Sequence, residues 1–525
     1  MHEETDVLVI GGGIAGIVSS IEAARAGANV TIACAGPLFG GSSFYPGTWG
    51  LGLIGPADKE DEADLIATIE NVGCGVADPA LVETFVHNIR PAIEWLEQEL
   101  GVPLKRPASA ESAREVTFIP CFDHANRLWR GITREAFERV ARAEIERLGI
   151  GFLERCELME IVRDQHGPVI GAILYDRRKQ ELFPFPAKSI ILCSGGTGGL
   201  FERSLTSRDV LSSAHGIALD AGCSLVNIEF MQMMPGLVSP ARGIVFNEKT
   251  FRYAVFEDPA DILPADRNGL SDLLEARSGH GPFTCRLGDE LVDMAIDAAG
   301  AEGIAVHYNF PKDGAPEFVQ TFAQWMEDEL GITPNDELRV AMYAHAANGG
   351  IRIDAHAKTS VPGLFACGEV TGGMHGADRI GGLSSANGLV FGRIAGKGAA
   401  HHGTATSACI NADIILKESL ERIRMSATPL DDMDASRITK DMQRTMSAHA
   451  MIQRSEEGLA TALDDIERLQ REARYHGDCR GCVIPADAAL ARGIRVSSQL
   501  KLAQAMLQAM RSRTEGLGSH YRADR

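Results

Sequence analysis

Asp6 to Ile10 is a short apolar, β-branched run, and Gly11, Gly13 and Gly16 follow it in G-x-G-x-x-G spacing. Each glycine meets a separate demand. The first permits a tight turn, the second lets the backbone approach a pyrophosphate, and the third lets helix and strand pack closely. Ile14 and Ala15 fall inside the turn, Ile17 to Ala26 has helical character, and Ala28 to Ala33 reads as a second strand. The chain therefore opens with a βαβ unit whose helix N-terminus faces a phosphate. The acidic residue that usually binds the ribose about 20 residues on is replaced by Cys34. A thiol cannot replace a carboxylate acceptor, so ribose recognition must differ.

At 525 residues the chain predicts two or three domains. Its 45% hydrophobic and 23% charged residues are those of a globular protein. A net charge of -20 argues against a nucleic-acid partner. No run of about 18 apolar residues suggests a membrane span, and the acidic N-terminus is unlike a secretory leader. The 11 scattered cysteines fit reduced thiols and a cytoplasmic location. Cys479 and Cys482 have CxxC spacing but supply only two ligands, so chance or a structural role outweighs metal or redox function.

Ser189 to Cys193 reads as a buried strand leading into the glycine-rich Ser194 to Gly199. Turn clusters at 264–269 and 278–282 mark an inserted unit. Strand signals return at 349–354 and 363–368, and helical periodicity dominates after about Thr404, at 413–425, 460–474 and 488–511. The expected architecture is α/β. A Rossmann-like dinucleotide-binding domain (residues 1–236 and 343–404) carries an inserted α+β capping domain (237–342) and a C-terminal helical bundle (405–525).

Gly368 to Ser384 reads GEVTGGMHGADRIGGLS. It resembles the late flavin and substrate motif, GE-x-x-G-G-x-H-G-A-N-R-L-G-G-N-S, of the FAD-dependent succinate dehydrogenase/fumarate reductase flavoprotein and L-aspartate oxidase superfamily. Gly40 to Ser43 is similar to that family's early flavin loop, and 194–199 to its A-T-G-G segment. His345 to Gly350 is similar to its H-Y-x-M-G-G, and 513–524 to its closing E-S-R-G-x-H-x-R-x-D.

The resemblance implies FAD held by Gly11, Gly13, Ile14, Ala15, Gly16, Gly41, Ser42, Ser43, Gly195, Gly196, Gly368, Glu369, Arg379, Ser384 and Ser385. Glu369 would hold the ribitol or ribose region. Ser384 and the backbone after it would touch the isoalloxazine at a helix start, whose dipole favours negative charge on the reduced ring. Covalent members attach the ring through a histidine in the early loop. Residues 42–49 contain none, so the FAD is expected to be non-covalent.

By the same resemblance, Arg379 is the substrate-clamping arginine and His345 the second substrate residue. Arg286 falls near the arginine that donates a proton in fumarate reductases. Arg379 and His345 would polarise a carboxylate or carbonyl while a hydride and a proton cross a C=C or C–C bond. Glu229 to Gly236 matches E-F-x-Q-F-H-P-T, with Met234 in place of the histidine and Gly236 in place of the threonine. Neither side chain donates comparable hydrogen bonds. The far end of the pocket should be more apolar and roomier, and unsuited to fumarate, succinate or L-aspartate.

The expected substrate is a carboxylate or enone-like compound with a larger or less charged far end. Two alternatives stand beside this: L-aspartate-oxidase-like amine oxidation, and a flavin electron-transfer subunit docked on an iron–sulfur partner. No motif identifies the electron donor or acceptor.

Overall fold

The computed structural model describes residues 5–48, 50–165, 167–258, 261–311, 315–407, 409–478 and 486–525; Cys479 and Cys482 lie outside them. Strand β1 (Thr5–Ile10) runs into Gly11 and helix α1 (Ile14–Arg25). Strand β2 (Val30–Cys34) returns parallel to β1, with Val7 opposite Val30. The helix begins three residues before the sequence pattern suggests, because the glycines already belong to the turn that starts it.

Strand β3 (Gly151–Glu154) extends the sheet beside β2. The chain next forms a meander of β4 (Cys156–Arg163), β5 (Val169–Asp176) and β6 (Glu181–Leu192). Strand β6 serves two sheets. Residues 181–186 pair antiparallel with β5, and residues 187–192 lie parallel to β1.

A second, five-stranded sheet is built on β7 (Met231–Ser239) and β8 (Leu338–Ala347), paired antiparallel from Met231↔Ala347 onward. Strand β7 crosses the expected 236/237 boundary, so this sheet begins earlier than the turn-rich texture suggests. Turn residues mark the insert's loops; its first strand is apolar and reads like the domain before it. The chain then returns to the first sheet as β9 (Leu364–Ala366), parallel to the end of β6, and enters helix α2 (Leu383–Ala405).

Helices α1 and α2 press together along glycines. A Cβ on Gly392 would lie 3.1 Å from the Ala15 carbonyl oxygen, and one on Gly396 only 2.4 Å from that of Ser19. This approach brings the N-terminus of α2 to the same opening as that of α1.

The C-terminal segment is helical: α3 (Ala412–Ser426), α4 (Asp432–His449), α5 (Glu456–Asp478) and α6 (Asp487–Ser512). It is not a free-standing bundle. Ile438, Leu459 and Leu500 share one core with Met231, Phe246 and Met342 of the insert. Helix α4 goes unnamed in the sequence reading because its exposed face is densely charged. Among the described residues no helix is long and apolar enough to cross a membrane.

Replacing Gly396 with valine tests the helix contact. Its branched side chain has no room against Ser19, and overpacking of this kind costs about 1–3 kcal/mol or more. The expected outcome is a lower midpoint in thermal unfolding, with FAD retention falling in step.

Candidate active site

The turn between β1 and α1 opens a cleft of about 390 Å³ that extends to the second sheet. Gly11 sits at φ +125°, and a Cβ there would fall 2.2 Å from the Cys193 carbonyl oxygen at the end of β6. Only glycine fits this crossing. Helix α1 has no side-chain cap and no acidic residue in its first turn. Its free N–H groups therefore face the cleft, apart from that of Ile14, which donates to Ser43 Oγ at 3.2 Å. Helix α2 likewise starts without a side-chain cap, after Gly382 at φ +78°. Two helix N-termini thus favour negative charge in one cleft.

Gly11, Gly13, Ile14, Ala15, Gly41, Ser42, Ser43, Gly195, Gly368, Glu369, Arg379, Ser384, Ser385 and His345 all line this space. Buried oxygens of Ser42, Ser194 and Asp209, each on a lining residue, have no partner among the described residues. The arrangement fits an elongated, phosphate-bearing ligand such as FAD. Open glycine backbone lies along one wall, uncapped amides stand at two points, and acceptors wait between them.

Gly16 and Gly196 do not line the cleft; they support it. A Cβ on Gly16 would strike the Gly11 carbonyl at 2.0 Å, and one on Gly196 the Glu369 Oε1 at 2.3 Å. That oxygen accepts the Ala347 N–H at 3.0 Å, and burial raises the Glu369 carboxyl above its ordinary range.

Cys34 does line the cleft, with its thiol donating weakly to the Leu153 carbonyl at 3.7 Å. Burial, then the Glu154 charge, pushes the thiol to about 12, so it stays protonated. The carboxylate missing at this position has a counterpart elsewhere. Asp209 Oδ2 accepts the Gly41 N–H at 2.9 Å while Oδ1 has no partner among the described residues. Asp209 arrives from a loop 175 positions further along the chain, so no local spacing could reveal it.

At the other end of the cleft Arg379 is buried. Its Nε and Nη2 donate to Gln232 Oε1 at 3.1 and 2.8 Å, which leaves Nη1 without a hydrogen bond to any described residue. The loop carrying it is clamped from three sides. The Ala377 carbonyl accepts Asn348 Nδ2 at 3.1 Å and Ser519 Oγ at 2.8 Å. Asp378 Oδ2 accepts Thr284 Oγ1 at 2.7 Å and Arg286 Nε at 2.9 Å. The insert and the C-terminal tail therefore jointly set the height of Arg379.

Arg286 accordingly does not join the cleft. Its guanidinium holds Asp378 and lies 5.8 Å from the Phe122 ring. The degenerate motif around it could not separate a cleft arginine from one that braces the wall.

His345 does reach the cleft, with Nδ1 unpartnered among the described residues. Burial, then the Arg379 charge, lowers its imidazole to about 3.

Met234 lines the cleft as an apolar group among Leu205, Ala341 and Tyr343. Gly236 brings no extra room, because Tyr343 and Leu205 stand 3.0 and 3.1 Å from where its Cβ would be. The expected apolar end is present, and the expected widening at Gly236 is not.

Two residues outside the sequence reading complete this end. The Cys121 thiol donates to Glu248 Oε1 at 2.9 Å, and both line the cleft. Burial, then the Glu248 charge, raises the thiol far above its usual range. Among the described residues no group of His, Cys, Asp and Glu is arranged to hold a metal ion.

A family model described as FAD binding domain matches residues 6–385, and one described as Fumarate reductase flavoprotein C-term matches residues 439–525. A chain of the fumarate reductase (CoM/CoB) of Methanothermobacter marburgensis is 28% identical, over 99% of this chain and 94% of its own length. The L-aspartate oxidase of Streptomyces coelicolor is 27% identical, over 99% of this chain and 88% of its own. A solved structure of the E. coli quinol fumarate reductase FrdA, carrying a point mutation, superposes with a TM-score of 0.79 at 22% identity, covering 99% of this chain and 91% of that one. The chain belongs to the FAD binding domain family and is an FAD-dependent oxidoreductase of the succinate dehydrogenase and fumarate reductase flavoprotein type.

Proposed function

We propose that this enzyme reduces or forms a C=C bond adjacent to a carboxylate or carbonyl group, and that Arg379 clamps that group. The observation that carries this reading is the half-engaged guanidinium. Gln232 fixes two of its nitrogens, and the third is left for an anion inside an enclosed cleft. Bound FAD supplies the hydride chemistry.

Arg379 orients the substrate and draws charge toward its oxygen end as the double bond polarises. His345 stays neutral near pH 7 and contributes a hydrogen bond, not a charge. Met234 adds an apolar surface to this end of the cleft. A proton must move at the neighbouring carbon, and the Cys121–Glu248 pair is the titratable couple at this end of the cleft. We infer that Glu248 relays this proton. The electron donor or acceptor would be a partner protein or small molecule that reaches the flavin. Iminoaspartate formation from L-aspartate would instead favour amine oxidation, the activity named for the Streptomyces coelicolor relative.

Reduced enzyme mixed without oxygen with 2-enoates should regain its oxidised flavin absorbance. Arg379→Met should slow this by about 100-fold or more, as expected when a charge-assisted, buried contact is lost; an unaffected rate would remove the carboxylate clamp. Substrate affinity should stay flat between about pH 5.5 and 8, because His345 gains charge only near pH 3, far below its usual titration near 6.5. Acidification through this window therefore adds no cation. A KM that improves as the pH falls through the ordinary histidine range would show that the imidazole charges. We also infer non-covalent FAD: acid or urea denaturation should release all the flavin to the filtrate, and a fluorescent protein band on a denaturing gel would refute this.

A further inference from the structure

The cleft does not end at Arg379. A second recess of about 160 Å³ shares Cys121, Glu248, Gly381 and Gly382 with it and continues behind them. Its walls are aromatic. Phe118 meets Trp129 edge-on at 5.5 Å between ring centroids and Phe318 at 5.6 Å, and all three line the recess. Such a slot receives a flat apolar group and excludes water.

Within it lies one strongly buried cation. Lys249 is 4% exposed and lines the recess, yet its ammonium forms no hydrogen bond or ion pair with any described residue. The adjacent Glu248 carboxylate is occupied by the Cys121 thiol and lies beyond ion-pair distance of Lys249. Lys105 stands exposed at the rim of the same recess. An ammonium on the wall of the recess without a counter-ion favours a ligand that brings one. The cleft lined by Arg379 and the recess lined by Lys249 meet at Cys121 and Glu248.

We propose that the substrate carries two anionic ends joined by a flat apolar spacer longer than that of fumarate. Arg379 takes the carboxylate beside the reacting bond, and Lys249 takes the second anion in the aromatic recess. This rests on the reading of Arg379 as the carboxylate clamp. The donors missing at Met234 and Gly236 are then not replaced in situ. The second anion is recognised instead in the recess that opens at Cys121 and Glu248.

Three probes of one shape test this on the FAD-bound enzyme: trans-cinnamate, trans-4-carboxycinnamate and its uncharged 4-carbamoyl analogue. Binding is read from the perturbed absorbance of the oxidised flavin, and turnover from reoxidation of the reduced flavin. The dicarboxylate should bind about tenfold or more tightly than the other two, as a buried charge pair replaces a neutral contact. In Lys249→Met that ratio should fall to near one, and Lys249→Arg should restore most of it.

Equal binding of all three by the unaltered enzyme, which needs no variant to fold, would overturn the proposal. So would a preference that survives in Lys249→Met. A Lys249-dependent binding preference without reoxidation by any probe would uphold the diacid site and sink the C=C reading instead.

Discussion

The contact between α1 and α2 fixes the geometry on which everything else rests. Backbone meets backbone because Gly392 and Gly396 carry no side chain, and the axes approach more closely than any larger residue allows. The consequence is electrostatic. Two uncapped N-termini, far apart in the chain at Ile14 and Leu383, open on one cleft. Partial positive charge at both places favours a ligand that is anionic along its length, so a packing constraint becomes a binding preference.

Local features of this design were legible in the sequence wherever function rests on backbone. The Gly11–Gly16 turn, the Gly368–Ser384 loop and the strands leading into them stand where their patterns place them, because glycine spacing is read within a few residues. Arg379 and His345 were legible for the same reason, each inside a continuous motif. What escaped was assembled by distance. Asp209 meets the Gly41 N–H across 168 positions of sequence, and Glu248 and Cys121 meet although 127 positions separate them. Arg286 shows the converse: a residue near the expected place in the chain is absent from the cleft lining and binds the buried Asp378 carboxylate. Gly236 shows that a small side chain predicts space only where no neighbour fills it.

The insert and the C-terminal helices share a core, which couples parts that a linear reading treats as separate domains. Arg454 illustrates the coupling. It is fully buried and donates to the Glu229 carbonyl at 3.0 Å while meeting His520 Nδ1 at 2.6 Å, so the tail is tied to the residue two positions before β7. The same tail reaches Ala377 through Ser519. The closing segment of the chain thus braces the arginine loop. Mutations near residue 520 can therefore disturb the cleft without touching a ligand, by letting the Arg379 loop relax.

Charge is distributed in a way that net composition conceals. The chain carries -20 overall, yet its cleft presents Arg379 with one nitrogen unengaged, and the adjoining recess Lys249 with no ion pair among the described residues. An acidic surface repels small anions at long range, but that effect is screened beyond about 10 Å at ordinary ionic strength. Inside an enclosed cleft screening is weak, so a few buried cations outweigh many exposed carboxylates in deciding what binds. Desolvation sharpens the choice. An anion that reaches both cations recovers the hydration it loses, whereas one that reaches only Arg379 leaves Lys249 uncompensated. On the proposed two-anion reading, selection at this site rests on whether one ligand reaches both cations.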